Sequence, residues 1–236
     1  MEKDNNQVDA QAMLIHDNPF RHISIGDSVI DWVSSDGDPS SVAGAVISGN
    51  AAWTDTDDGV TLTPASDTQA GYLHWVKTFD YTKDLLITAT TKAGGGDGAD
   101  GITIFFGCDD VSSAGDAEGG INVYFNEFDN DIIQTYKNGV LVSQYSAFKT
   151  LDDNTYNEWQ LVYQWQDADN IFLHIFMNGR YMGRDNLAPW TSAGGYIGIS
   201  GVCGSNNNVH AVKAFAVKSA NVWLNINPWT PPPLLP

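Results

Sequence analysis

The sequence predicts an all-β chain folded as an antiparallel two-sheet β-sandwich. Three observations lead there. The 236 residues include eight Trp, nine Tyr and ten Phe, side chains that fit a pleated, half-buried surface better than a helix. The 23 glycines recur in Asn-Gly, Asp-Gly and Gly-Gly pairs, the turn chemistry of many short strands. Several segments alternate apolar and polar residues with period two, and none longer than ten residues holds a helical period.

Residues 1–22 read as a polar arm without a charged-then-apolar signal pattern. Residues 23–33 form the first strand-like segment, and the Ser/Gly/Asp-rich stretch 34–49 reads as a long loop or edge. The one plausible internal boundary, 37–52, falls there. Trp53, Val60 and Leu62 open the regular part. In 71–79, Tyr72, His74 and Val76 face one side and Leu73, Trp75 and Lys77 the other. A strand over 85–92 ends in a Gly-rich loop, 93–101, and the nearly all-apolar run 102–107 fits a strand buried on both faces. In 121–126, Ile121, Val123 and Phe125 alternate with Asn122, Tyr124 and Asn126.

Two hairpins follow from Asn-Gly pairs, which tolerate the positive φ that a tight type I′ turn needs. One joins 132–137 to 140–145 through Asn138-Gly139, and the other joins 171–177 to 180–184 through Asn178-Gly179. Residues 159–165, 196–200 and 209–218 supply the remaining strands. The expectation is about twelve strands in one sandwich over 23–226. Residues 227–236 then form a Pro-rich tail of polyproline type, with Trp229, Leu234 and Leu235 suited to packing on this sandwich or on a neighbouring subunit.

Only 17% of residues are charged, yet the net charge is −18. That argues against nucleic acid or an anionic membrane as partner, and suits a cation or a sugar. No apolar run approaches the ~20 residues that span a bilayer. Cys108 and Cys203 are the only cysteines and sit at opposite ends of the predicted architecture, so no disulfide framework is expected.

Two stretches carry chemistry. In Gly94-Gly95-Gly96-Asp97-Gly98-Ala99-Asp100-Gly101, a strand rather than a helix follows and Lys is absent, so this is no phosphate loop. Its Asp100 lies at the mouth of a sheet, where a carboxylate can accept bonds from two adjacent sugar hydroxyls while glycines leave room for the ring. The bland reading is a hairpin loop with an incidental Asp. In the second stretch, Asn126, Glu127, Asp129, Asn130 and Asp131 crowd oxygen atoms at a strand end. A hard cation, a polyhydroxylated ligand or a shared proton would offset their repulsion; a polar turn is the alternative.

Three motifs in order, Gly98-Ala99-Asp100-Gly101 with Ile-Thr-Ile-Phe-Phe after it, Gly120-Ile-Asn-Val-Tyr-Phe-Asn-Glu-Phe-Asp-Asn-Asp, and Gly195-Tyr-Ile-Gly-Ile-Ser-Gly, resemble the concanavalin A-like, L-type lectin family. The resemblance spans about residues 53–218 and implies a concanavalin-like jelly roll. It implies a sugar site of Asp100, Gly120, Asn130, Gly201, Gly204 and Ser205, and a calcium site of Asn126, Phe128, Asn130 and Asp131. Asn126 stands where the family has Asp, which removes a charge from the metal shell, and Tyr124 stands where legume lectins have the Glu of a second metal. The Asp and His that complete those sites are expected to lie in an insertion this chain lacks.

Laminarinase-type hydrolases of the same fold use a Glu-x-Asp-x-(x)-Glu pattern with carboxyls about 5–5.5 Å apart. In a regular strand Glu127, Asp129 and Asp131 would share one face, but the third acid is one methylene short. His74, His174 and His210 are far apart in sequence and support no zinc site. The resulting expectation is non-catalytic glycan recognition or adhesion, calcium-assisted, at an extracellular or particle surface. The alternatives are an assembly domain on a virion-like particle that keeps the fold without the sugar, and a glycoside hydrolase.

Overall fold

The computed structural model describes residues 20–54, 59–111, 117–128, 131–192 and 194–224. The Pro-rich tail, most of the N-terminal arm, Asp129 and Asn130 lie outside the described residues. In chain order the strands are β1 (Phe20–Val33), β2 (Ala45–Gly49), β3 (Ala52–Trp53), β4 (Val60–Thr63), β5 (Gln69–Val76), β6 (Leu85–Gly94), β7 (Gly101–Cys108), β8 (Asp110–Val111), β9 (Ala117–Glu118), β10 (Ile121–Asn126), β11 (Ile132–Lys137), β12 (Val140–Ser146), β13 (Tyr156–Asp167), β14 (Asn170–Met177), β15 (Arg180–Asn186), β16 (Tyr196–Cys203) and β17 (Val209–Leu224).

All but β8 and β9, which pair only with each other, form two antiparallel sheets. One runs β15-β14-β13-β6-β17-β4-β3, with β1 beside the distal half of β17; the other runs β12-β11-β10-β7-β16-β5-β2. The all-β sandwich is therefore present, with more strands than the sequence suggests because β3, β8 and β9 are two-residue pairings. The stretch read as loop or edge, 34–49, holds two 3-10 turns and then β2, which pairs with β5 as the edge of the seven-stranded sheet.

Alternation decides what is buried. Ile121, Val123 and Phe125 of β10 enter the inter-sheet core, as do Leu73 and Trp75 of β5. All eight residues of β7 are buried, because it lies between β10 and β16 with Ile102, Ile104 and Phe106 inward and Phe105 in a second cluster on the other face. Aromatic pairs bridge the sheets: Phe125 stacks on Trp159 at 3.7 Å between centroids, and Trp75 on Phe215 at 5.1 Å. Both hairpins turn through Asn-Gly at positive φ, 49° and 76° at Asn138-Gly139 and 48° and 73° at Asn178-Gly179.

Register places the functional end. Asn126 at the end of β10 and Val202 near the end of β16 both pair with Gly101 at the start of β7. The 94–101 loop, the turn after Asn126 and the 203–208 loop therefore meet at one end of the sandwich.

Candidate functional site

Asp100 stands immediately before β7, after a cis Ala99–Asp100 peptide. Gly101 follows at φ +151°, and a Cβ there would lie 2.1 Å from the Phe125 carbonyl oxygen, so only glycine lets β7 start this close to β10. The backbone of Asp100 is held from three directions. Its N–H donates to the Val202 carbonyl at 2.9 Å, and its carbonyl accepts from the Glu127 N–H at 3.1 Å and the Tyr124 hydroxyl at 2.8 Å.

Its half-buried carboxylate accepts no hydrogen bond from any described residue. It lies against Gly204, where an added Cβ would stand 2.8 Å from Oδ2. Burial raises the Asp100 pKa; the His210 charge pulls it back and the Glu127 charge adds to the rise.

Beneath this shelf is a buried polar network. β10 ends at Asn126, so Glu127 is free of strand alternation and turns inward. Glu127 and Asp131 consequently do not share a strand face, which removes the basis of the hydrolase pattern. Glu127 Oε2 accepts from Asn208 Nδ2 at 2.9 Å and faces His210 Nε2 at 3.1 Å, both side chains of the pair being at most 1% exposed. His210 Nδ1 lies 2.7 Å from Thr63 Oγ1, whose hydroxyl donates to the Asn208 carbonyl at 3.1 Å.

Burial opposes a charge on His210, but Cys203 and Glu127 outweigh it and raise its pKa to about 9. Imidazolium is then the form at neutral pH, with one N–H for Glu127 and one for Thr63. The Cys203 thiol, 3.7 Å from His210 Nδ1, is held below its ordinary pKa by His210, the Asn208 N–H and Thr63 despite its burial. Removing one partner of a buried ion pair typically costs about 3–5 kcal/mol, because the other charge stays uncompensated.

The network ties the loops together. Asn208 Oδ1 accepts from the Gly96 N–H at 3.1 Å, Asp97 Oδ1 from the Asn207 N–H at 2.6 Å, and Asp67 Oδ1 from Asn207 Nδ2 at 2.9 Å. The Thr68 N–H donates to the Gly204 carbonyl at 2.8 Å.

Of the residues read from sequence as sugar-binding, Asp100 and Gly204 meet, and Ser205 is exposed on the same loop. Gly201 lies below them in β16, packed between Leu62 and His210, where a Cβ would come within 2.8 Å of the His210 Cβ. Gly120 is at the opposite end of β10, against Cys108, and is not brought to the others. Asn130 lies outside the described residues.

Of the residues read as metal ligands, Asn126 is half-buried at the strand end, Phe128 is 65% exposed, and Asp131 adopts φ +54° with its carboxylate accepting the Leu151 N–H at 2.8 Å. The acid expected only in a missing insertion has a counterpart: the turn after the first Asn-Gly hairpin returns Asp152 here. Its pKa is raised by burial and by the charges of Asp131 and Glu127. These donors are all oxygen, the type a calcium ion takes. Yet among the described residues no three His, Cys, Asp or Glu side chains converge on a point that could hold a metal.

Both cysteines are free and buried: Cys108 ends β7 beside Tyr196 at the start of β16, and Cys203 is at the other end of β16. His74 and His174 lie in different sheets, so zinc finds no site between them. Sequence reading missed the Glu127–His210 pair, whose members are 83 positions apart. The available signal was parity: His210 shares the inward side of β17 with Val212, a position that a core strand ordinarily fills with an apolar residue.

No family model matches the chain, and no curated protein matches it in sequence. Solved structures do. The chain is similar to the metal-free VIP36 exoplasmic/lumenal domain, at 14% identity and a TM-score of 0.63 over 87% of this chain and 100% of that one. It is similar to the Emp47p carbohydrate recognition domain, at 14% identity and 0.63 over 84% and 96%. It is also similar to the VIP36 domain with Ca2+ and Man3GlcNAc bound, at 14% and 0.59 over 80% and 89%. At such identity the likeness is one of fold: the chain has the concanavalin A-like fold of L-type lectin carbohydrate recognition domains.

Proposed function

We propose that this chain binds glycans non-covalently, through the Asp100 shelf and the Gly204 loop. The observation that carries the reading is the Asp100 carboxylate, anchored through its backbone on three sides, unengaged by any described residue, and faced by a glycine that leaves space above it. Two neighbouring hydroxyls of a sugar ring can each donate to such a carboxylate, and charge-assisted bonds of this kind contribute about 1.5–3 kcal/mol each. A groove of about 510 Å3 adjoins the loop, lined by Ser48, Asn50, Thr68, Gln69, Tyr72 and Val202. Its hydroxyls and amides suit further sugar units of an oligosaccharide. Structural neighbours with mannose, Man2 and Man3GlcNAc bound support the ligand class and make mannose-containing oligosaccharides the first to test.

The same geometry favours recognition over hydrolysis. A glycosidase needs two accessible carboxyls flanking the scissile bond. Here Glu127 is enclosed and committed to His210 and Asn208. No helix among the described residues is long and apolar enough to cross a membrane. An extracellular or lumenal setting, where glycans are displayed, fits this reading.

A glycan array probed with the wild-type chain and with Asp100→Asn tests it. Binding that disappears in the variant, with melting temperature unchanged, is the expected result. A well-folded wild type that binds nothing would favour a structural or assembly role for the fold instead.

A further inference from the structure

The neighbours include calcium-bound structures; here Asn126 stands uncharged at the end of β10, and no three His, Cys, Asp or Glu side chains among the described residues converge on a point that could hold a metal. The 94–101 loop, the start of the turn after β10 and the 203–208 loop contact one another through one buried cluster. Glu127 reaches it from the turn after β10, Asn208 from the loop after β16, His210 from β17 and Thr63 from β4. Each member touches a segment that shapes the shelf. Glu127 donates its own N–H to the Asp100 carbonyl; Asn208 accepts the Gly96 N–H; Cys203, which accepts the Asn208 N–H at 3.4 Å, immediately precedes Gly204. Every polar atom named in the cluster has a hydrogen-bond partner, so the network is satisfied within its own dry site.

We propose that the buried Glu127–His210 pair, spread to three loops by Asn208 and Thr63, is the positioning device of the glycan site, and that it organises Asp100 and the Gly204 loop from within, without a divalent cation. The proposal rests on the glycan-binding reading for the purpose of the shelf, but the organisation itself can be measured with no sugar present.

The test is amide hydrogen exchange on the full chain, in EDTA and in millimolar calcium, for the wild type, Glu127→Gln and Asn208→Ala. The reporters are the N–H groups of Asp100, Glu127, Thr68 and Asp97, which bond to Val202, Asp100, Gly204 and Asn207 across the site. Ile104, in the middle of β7, reports on the core. Wild-type protection is expected to be equal in EDTA and calcium. Glu127→Gln is expected to lower protection of the four reporters at least tenfold while Ile104 keeps its own, with no rescue by calcium. If Glu127→Gln also exposes Ile104, Asn208→Ala decides: Gly96 and Asp97 are expected to lose protection tenfold with the core intact.

Wild-type protection that falls in EDTA and returns with calcium would overturn the proposal. So would reporters unmoved in both variants, or calcium restoring them in Glu127→Gln. Failure to find a glycan ligand, with the exchange pattern as expected, would sink the functional reading and leave the positioning device standing.

Discussion

Replacing Gly204 by alanine should abolish ligand binding while leaving the fold nearly as stable. The new methyl carbon would stand 2.8 Å from Asp100 Oδ2 and 3.1 Å from Oδ1, where ordinary contact begins at 3.4 Å. The overlap is about 0.6 Å on the nearer oxygen. The Asp100 backbone, held by Val202, Glu127 and Tyr124, resists moving. The carboxylate is the part that yields, swinging off its rotamer at about 0.5–1.5 kcal/mol. Alanine at a compatible backbone position recovers about 0.4–1 kcal/mol through the unfolded chain, so net stability should change by about 1 kcal/mol or less. Binding is different. Losing two charge-assisted hydrogen bonds at about 1.5–3 kcal/mol each removes about 3–6 kcal/mol, at least a hundredfold in affinity. Isothermal calorimetry with an array-selected oligosaccharide measures the affinity, and urea unfolding the stability. Gly195→Ala is the control, because its methyl would be in ordinary contact at 3.5 Å from the Lys77 backbone. A Gly204→Ala variant that binds within threefold of the wild type would refute the reasoning, since the cradle would then not be where the ligand sits.

Trp159→Ala should cost about 3–5 kcal/mol in urea unfolding, because it removes the stack on Phe125 and the hydrogen bond from Nε1 to Thr91 Oγ1. Acid should destabilise the fold through His174, whose pKa is lowered to about 3 by burial and by the Arg184 charge. The native value lies below the unfolded one of about 6.5, so its stabilising effect is complete above that pH and lost as pH falls toward 3, on the order of 3 kcal/mol by pH 4.5. His174→Gln should therefore lose correspondingly less stability between pH 7 and 4.5 than the wild type. No reducing sugar should be released from β-glucans; release that disappears in Glu127→Gln would restore the hydrolase reading.

The sandwich was legible because local chemistry agreed with the global fold. Period-two alternation in 71–76 and 121–126, the unbroken apolar run of β7 and two Asn-Gly turns each pointed to the strands the structure contains. Strand β2 was less legible: Ala45–Gly49 is a half-exposed edge strand, with no apolar alternation to declare it. At the functional end, Asp100 was legible because a carboxylate among glycines before a buried strand is locally odd. The network beneath it was not, since Glu127, Asn208, His210 and Thr63 come from four separate parts of the chain and only tertiary structure joins them. Reading Glu127, Asp129 and Asp131 on one strand face carried the alternation past Asn126, where β10 stops. Gly120 entered the sugar site on motif resemblance alone, and β10 carries it to the far end of the sheet.

Glycan binding at Asp100 is tested most directly by titrating the 15N-labelled chain with a mannose-containing oligosaccharide selected on the array and following its amide resonances. The largest shift changes should fall on Asp100, Thr68, Gly204 and Ser205, spread into the groove at Asn50 and Gln69, and vanish in Asp100→Asn. Changes centred elsewhere on the sandwich, or an unchanged titration in Asp100→Asn, would contradict the assignment of this end as the binding site.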